Sequence, residues 1–173
     1  MAKPKPRQCQ PCTACCDGWV QMVIDSVEVY PGKPCPHSTG AGCRVYARRP
    51  VIPCREFECG WIKTGSPLPD WMKPDQARVM VLPDLRRWRG YPVDLAVPVG
   101  KRIPPRALNW LKQYAESNSR PLIYLEHPAE SKGYVRDPLV VCHGPPEFQI
   151  EIRDMLARGE SPWQTVLHAH TGN

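Results

Sequence analysis

The pattern of apolar and polar positions predicts four strands in the second half of the chain. Short runs rich in β-branched and other apolar residues occupy positions 77–82, 93–99, 122–125 and 134–142. Pro98 has no backbone N–H to donate, so we expect the end of the second run at the edge of a sheet. Between and after these runs the apolar spacing becomes helical, and separate strands and helices together are typical of an α+β region.

Two helices are predicted from apolar stripes at helical spacing. The first begins at Pro104, and the second runs from about residue 146 to 158. The stripes consist of Leu108, Leu111, Tyr114 and Ala115 in the first helix and of Phe148, Ile152, Met155 and Leu156 in the second. Gly159 suits the left-handed position that ends a helix, and Ser161-Pro162 predicts the start of a short terminal helix.

The first third of the chain has no comparable periodicity. Positions 19–24 predict one short strand, and positions 43–50 predict a short helical segment that the proline at 50 ends. Positions 64–75 combine proline, glycine and polar residues and are interpreted as a connector. The predicted organisation is a flexible basic tail at 1–8, a cysteine-rich lobe at 9–63, and a small α+β region at 76–173 that forms one compact unit with the lobe.

Proline and cysteine are both unusually frequent. Of 173 residues, 22 are proline and 9 are cysteine. Because proline fixes φ and removes a backbone donor, long helices are disfavoured and many loops are expected. The predicted fold class is α+β, with an irregular cysteine-rich, metal-binding N-terminal lobe packed on a small mixed α/β C-terminal half.

Eight of the nine cysteines fall between positions 9 and 59. Thiolates are good ligands of zinc and iron, and C-x-x-C spacing lets two sulfurs of one tight turn reach the same ion. An odd cysteine count argues against complete disulfide pairing, and the first residues lack signal-peptide character, which favours the reducing cytoplasm. We therefore predict a metal site whose ligands are Cys9, Cys12, Cys15, Cys16, Cys35, Cys43, Cys54 and Cys59.

Several kinds of metal centre fit eight thiols. They are two tetrathiolate zinc sites, a bridged binuclear cluster, and an iron–sulfur cluster with spare ligands. Cys15 and Cys16 are adjacent, and neighbouring side chains of an extended chain point in opposite directions, so Cys16 is expected to serve a different ion or to bridge two ions. Zinc is the predicted cofactor, with iron or an iron–sulfur cluster as the alternative. A redox disulfide is the remaining interpretation of these thiols.

The cysteine spacing resembles that of a known family. The motif C-x-x-C-x-x-C-C at 9–16 is followed by Cys35 and then by C-R-V-Y-A-R-R-P-V-I-P-C-R-E-F-E-C at 43–59. This arrangement is similar to the CxxCxxCC family of zinc- or iron-chelating, YkgJ-like proteins, whose cysteine module also resembles one in flagellin lysine-N-methylases. The family pattern C-x-[IV]-Y-x-x-R-P-x-x-C-R is matched by Cys43, Val45, Tyr46, Arg49, Pro50, Cys54 and Arg55. The similarity covers about a third of the chain.

The chain departs from the family pattern at two places. Three residues separate Pro50 from Cys54, one more than in the pattern, and positions 24–28 are a weak counterpart of the helix-forming stretch that the family has there. The resemblance implies a metal site and a chelating function. As an alternative it implies an iron–sulfur or metal-dependent enzyme related to protein lysine methylation. No catalytic residue can be named, and whether the chain is an enzyme is left open.

The formal net charge is +6, and part of the positive charge lies among the cysteines. The arginines in that segment are Arg44, Arg48, Arg49 and Arg55. Guanidinium groups beside thiolates would offset their charge and donate hydrogen bonds. A zinc-ribbon-like nucleic-acid-binding module is a second alternative, but Glu56 and Glu58 dilute the basic patch, so nucleic acid is a disfavoured partner. No apolar run is long enough to span a bilayer, so no membrane partner is expected, and a protein partner is left open.

Histidines and the ninth cysteine are weaker candidates. His37 lies two residues after the fifth cysteine and could replace a cysteine ligand, although a solvated loop histidine is the favoured interpretation. His168 and His170, near the C-terminus, are at best weak metal ligands. Cys142 precedes His143, but adjacency in sequence does not provide the geometry of a nucleophile and its base. A small buried cysteine at the end of a strand is expected instead.

Overall fold

The structure is a computed structural model that describes residues 7–127 and 138–162. Its strands are β1 (Met22–Ile24), β2 (Val27–Val29), β3 (Val79–Trp88), β4 (Tyr91–Pro98), β5 (Leu122–Glu126) and β6 (Leu139–His143). Its α-helices are α1 (Pro74–Ala77), α2 (Pro105–Ser117) and α3 (Pro146–Ala157). Shorter helical turns lie at Tyr46–Arg48, Val51–Arg55 and Asp70–Met72. The fold is α+β, as predicted, and none of the described helices is long and apolar enough to cross a membrane.

Strands β3, β4, β5 and β6 form one four-stranded sheet in that order. β3 and β4 are antiparallel, and a tight turn at Arg89 and Gly90 joins them. β4 and β5 are parallel, and α2 provides the long crossover that a parallel pair requires. β6 pairs antiparallel with β5. The first three predicted strands and both predicted helices are therefore present, while positions 134–137 of the fourth predicted strand lie outside the described residues.

Side chains alternate between the two faces of this sheet, and each face has its own core. Leu95 belongs to a buried cluster that also includes Phe148 of α3 and Cys12 of the cysteine-rich segment (residues 9–59). The next residue of β4, Ala96, belongs to a second cluster that includes Leu111 of α2. The sheet thus separates α2 from α3, and the cysteine-rich segment contributes to the core on the α3 face.

β4 is an interior strand, which corrects the prediction that Pro98 ends an edge strand. Pro98 is paired with Val79 of β3, whereas the pairing of β4 with β5 ends at Ala96. The N–H of Val99 donates to the carbonyl of Arg78 on the β3 side at 2.9 Å. Neighbouring N–H groups alternate in direction, so the missing donor of Pro98 faces the β5 side, beyond the last pair of that ladder. The proline therefore breaks no sheet hydrogen bond.

β1 and β2 form a separate two-stranded hairpin where the sequence predicted a single strand. Asp25 and Ser26 make its two-residue turn with φ angles of 49° and 63°. Positive φ at both positions is the geometry of turns whose twist matches that of the flanking strands. The helical segment predicted at 43–50 is reduced to the 3-10 turn at Tyr46–Arg48.

Residues of the predicted flexible tail and of the predicted connector make specific contacts with the rest of the fold. Arg7, assigned to the flexible tail, donates to the carbonyls of Trp61 at 2.7 Å and Leu68 at 2.6 Å, and its guanidinium lies over the Trp61 ring. Leu68 and Met72, in the predicted connector, are buried in the cluster on the α2 face. Outside the described residues are positions 1–6, most of the predicted terminal helix, His168 and His170.

Candidate metal centre

All eight cysteines of the predicted site line one cavity of about 120 Å³. Its wall also includes Met22 and Ile24 of β1 and Met80 of β3. The ninth cysteine, Cys142, lies on β6 and is not part of this lining. All nine cysteines are free thiols. The fold thus brings together, around one cavity, the cysteines that the spacing singled out.

The sulfurs line this cavity without closing on a single point. Within residues 7–127 and 138–162, no three His, Cys, Asp or Glu side chains form a group that could hold a metal ion as they stand. A tetrathiolate zinc site requires four sulfurs at roughly 2.3 Å from the ion. Metal binding would therefore have to draw the thiols inward.

Consecutive turns gather the first four cysteines. The N–H of Cys12 donates to the carbonyl of Cys9 at 2.9 Å, and the N–H of Gly18 donates to the carbonyl of Cys15 at 3.1 Å. Because the chain turns here, the thiols of Cys15 and Cys16 hydrogen-bond to each other. The assumption of an extended chain, with side chains pointing apart, is wrong at this doublet. That Cys16 binds a different ion from Cys15, or bridges two ions, stays a prediction.

Gly18 fixes these turns against the N-terminal hairpin. Its φ is 87°, and a Cβ atom at this position would lie 2.3 Å from the carbonyl carbon of Tyr30, just after β2. An L side chain rarely adopts this φ, and no side chain fits the space. The turn after the cysteine doublet therefore lies directly on the end of the hairpin.

Cys15 hydrogen-bonds to the thiols of both Cys9 and Cys16. Its hydrogen bond lowers the pKa of Cys9 to about 7 despite partial burial. The hydrogen bond between Cys15 and Cys16 likewise lowers the pKa of Cys16. The same two bonds, together with burial, raise the pKa of Cys15. Cys15 therefore retains its proton, and Cys9 is ionised to a large extent at neutral pH.

Backbone N–H groups point at three further sulfurs. Cys12 accepts from Ala14 and Asp75, Cys35 accepts from His37 and Ser38, and Cys59 accepts from Trp61 and Ile62. Such bonds favour a thiolate, but burial outweighs them and raises the pKa of Cys12 to about 11. Burial likewise raises the pKa values of Cys35 and Cys59. These sulfurs have N–H donors ready for a thiolate but need a cation to displace the proton.

The donor set of the cavity fits a thiophilic metal. Eight sulfurs line it, and sulfur is the donor of structural zinc sites and of iron–sulfur clusters. Magnesium and calcium prefer oxygen ligands, so a cavity lined mainly by thiols and apolar side chains does not suit them. Zinc or iron fits the residues present.

Arg49 is the arginine most closely tied to the cysteines. Its Nε donates to the carbonyl of Cys54 at 3.3 Å, and its Nη1 donates to the carbonyl of Tyr46 at 3.0 Å. The guanidinium also lies 4.1 Å from the centre of the Tyr46 ring. Its charge favours the thiolate forms of both Cys9 and Cys54. Arg55 in turn donates to the carbonyl of Arg49 at 3.0 Å and so supports the same loop.

Two charged residues that the sequence analysis did not single out lie beside the first cysteines. Lys73 is buried, donates from Nζ to the carbonyl of Gln10 at 3.4 Å, and favours the thiolate form of Cys9. Asp75 points its backbone N–H at Cys12, while its carboxylate acts to raise the pKa of that thiol. Both residues belong to the segment interpreted as a connector, and no local motif distinguishes them. Their role depends on tertiary packing.

The remaining candidates from the sequence lie at the margin of the centre. His37 is among the residues that line the cavity, but its Nε2 lies 2.6 Å from Oδ2 of Asp25 in the hairpin turn. Arg44 and Arg48 are exposed. The predicted compensation of thiolate charge therefore has its structural support at Arg49, with Lys73 as an addition.

Cys142 and His143 are not arranged as a nucleophile and a base. Cys142 packs against the core on the α3 face, and burial raises its pKa to about 11. The ring of His143 instead lies 2.9 Å, through Nε2, from Oε1 of Glu116 in α2. Consecutive residues of a strand face opposite sides of a sheet, which explains the separation.

Comparison with family models, with curated proteins and with solved structures finds no match for this chain.

Proposed function

We propose that this protein is a cytoplasmic metal chelator that binds zinc, with iron as the alternative, through the eight cysteines between positions 9 and 59. The observation that carries the proposal is that all eight thiols, from segments far apart in the chain, line one cavity. The ninth cysteine, Cys142, which is outside the signature, does not line this cavity. Membership of the CxxCxxCC family is part of this proposal, supported by the matching residues at 43–55.

The chemistry of the thiols supports chelation. Burial keeps four of the eight protonated (Cys12, Cys35, Cys54 and Cys59), and a divalent ion would exchange those protons for metal–sulfur bonds. Four thiolates around a divalent ion carry a net double negative charge, and Arg49 and Lys73 are placed to offset it. Free thiols of this kind persist in a reducing compartment, which is the reason for proposing the cytoplasm.

The proposal is tested by elemental analysis and thiol counting on protein purified without oxygen. We expect zinc in near-stoichiometric amount, a colourless solution, and eight cavity cysteines that react with a thiol reagent only after a chelator is added. An iron–sulfur centre would instead give broad visible absorption near ~400 nm. The Cys142→Ser variant is the matched control, because it removes one thiol without touching the cavity and should retain all of the metal.

The absence of bound metal would contradict the proposal. If the purified protein carries neither zinc nor iron, takes up neither when they are supplied, and exposes all its thiols to reagent, the chelating function is wrong.

A further inference from the structure

The eight thiols line one cavity, but their contacts divide them into two groups. We infer that the protein binds two thiophilic divalent ions, one in each of two four-cysteine sets. The sheet-side set is Cys9, Cys12, Cys15 and Cys59, and the hairpin-side set is Cys16, Cys35, Cys43 and Cys54. This assignment rests on the proposed chelating function and adds which thiols share an ion.

The sheet-side set is held against the four-stranded sheet. Cys12, Cys15 and Cys59 all pack in the cluster on the α3 face of the sheet. Cys59 is fixed there because the N–H of the next residue, Gly60, donates to the carbonyl of Val81 in β3 at 2.6 Å. Cys9 joins these three through the turn in which the N–H of Cys12 donates to the carbonyl of Cys9 at 2.9 Å.

The hairpin-side set is held against β1 and β2. Cys16, Cys35 and Cys54 pack in a separate cluster with Ile24 and Val29 of the hairpin. In addition, the N–H of Cys35 donates to the carbonyl of Cys16 at 2.7 Å.

Cys43 completes the hairpin-side set. A β-bridge pairs it with Ser38, in the turn that follows Cys35. The two sets adjoin at the doublet, where the thiols of Cys15 and Cys16 are in contact.

Ligand number agrees with this division. Structural zinc sites take four protein ligands, and two sets of four use every thiol of the cavity without a bridge or a spare ligand. A single four-iron cluster would leave four of the eight thiols without a metal.

Pairs of substitutions test the division directly. Each protein is loaded with zinc chloride, exposed to a competing chromogenic chelator, and analysed for retained zinc per chain. Wild type and the Cys142→Ser control should each retain two ions. The same-set variants Cys12→Ser/Cys59→Ser and Cys35→Ser/Cys54→Ser should each retain one ion, because the other set is intact. The cross-set variants Cys12→Ser/Cys54→Ser and Cys35→Ser/Cys59→Ser damage both sets and should retain none.

A second measurement on wild-type protein covers variants that fail to fold. One molar equivalent of cobalt chloride is added to metal-free protein, free thiols are alkylated, and the protected cysteines are identified by mass spectrometry. The tighter site should protect one complete set of four, with tetrathiolate cobalt absorption, before the other set is protected at the second equivalent.

The outcomes separate the two proposals. If wild type retains no metal, the chelating function itself is wrong. If wild type binds metal but cross-set and same-set variants retain equal amounts, or cobalt protects a mixture of the two sets, chelation stands and the division is wrong.

Discussion

The doublet of Cys15 and Cys16 shows how a local turn changes the chemistry of single residues. An extended chain would separate the two side chains, but the turn brings their thiols into hydrogen-bonding contact. Cys15 also contacts the thiol of Cys9, and its single S–H proton can be donated to one of these two neighbours at a time. The spacing of cysteines in the sequence predicts that these residues act together. It does not predict which of them ionises first.

Cys9 should be far more reactive than Cys142 in metal-free protein. At pH 7 about half of Cys9 is thiolate, because its pKa is about 7, whereas the pKa of Cys142 is about 11. After allowing for the weaker nucleophilicity of a low-pKa thiol, we expect iodoacetamide to modify Cys9 roughly a hundredfold faster. The rate at Cys9 should fall about tenfold per unit as the pH drops below 6. Peptide mass spectrometry over a time course measures both rates.

The Cys15→Ala variant is the control for this prediction. Without the hydrogen bond from Cys15, the pKa of Cys9 rises and its alkylation at pH 7 slows, while Cys142 is unaffected. Equal rates at Cys9 and Cys142 in the wild type, or an unchanged Cys9 rate in the variant, would contradict the assigned contact.

At the level of elements, the sequence predicted those whose signal is local. The apolar runs of β3 and β4 and the stripes of α2 and α3 are formed by neighbouring residues, and these elements are present. β2 was missed because it has three residues, and because Asp25-Ser26 lacks the glycine that marks many two-residue turns. The burial of Met72 was also missed, since it arises from contact with the distant sheet rather than from its own segment.

The packing of the cysteine turns on the hairpin gives a prediction at this scale. Gly18→Ala introduces strain from a positive φ and also a clash with the backbone of Tyr30. Gly40→Ala is the matched control, because Gly40 has a φ of 78° but nothing within 4 Å of the added methyl group. We expect the control to lose about 1 kcal/mol of unfolding free energy and Gly18→Ala to lose roughly 2–4 kcal/mol. Urea denaturation followed by circular dichroism measures the difference, and equal losses would show that the turn does not rest on the hairpin.

The two parts of the molecule differ in how much apolar burial stabilises them. The sheet has α2 on one face and α3 on the other, with side chains such as Leu95 and Phe148 fully buried. The hairpin-side cluster contains Ile24 and Val29, each contributing about 2 kcal/mol by burial. Ordering one residue of backbone costs roughly 1–2 kcal/mol, so this cluster alone cannot order the long loops that carry Cys35, Cys43 and Cys54. Under the proposed chelating function, metal–sulfur bonds would supply the missing stability for that part of the chain.

Removal of the metal should therefore unfold the cysteine-rich segment and leave the sheet intact. In hydrogen exchange followed by mass spectrometry, a chelator should raise deuterium uptake strongly in peptides from residues 16–54 and little in peptides from β4 and β5. Peptides around Cys12 and Cys59 should respond less than those around Cys35 and Cys43, because the former pack on the sheet core and the latter on the small hairpin. Readdition of zinc should restore protection. Unchanged deuterium uptake throughout residues 16–54 after complete metal removal would mean that apolar packing alone holds this segment. An increase in β4 as large as that in residues 16–54 would mean that the sheet itself depends on the metal.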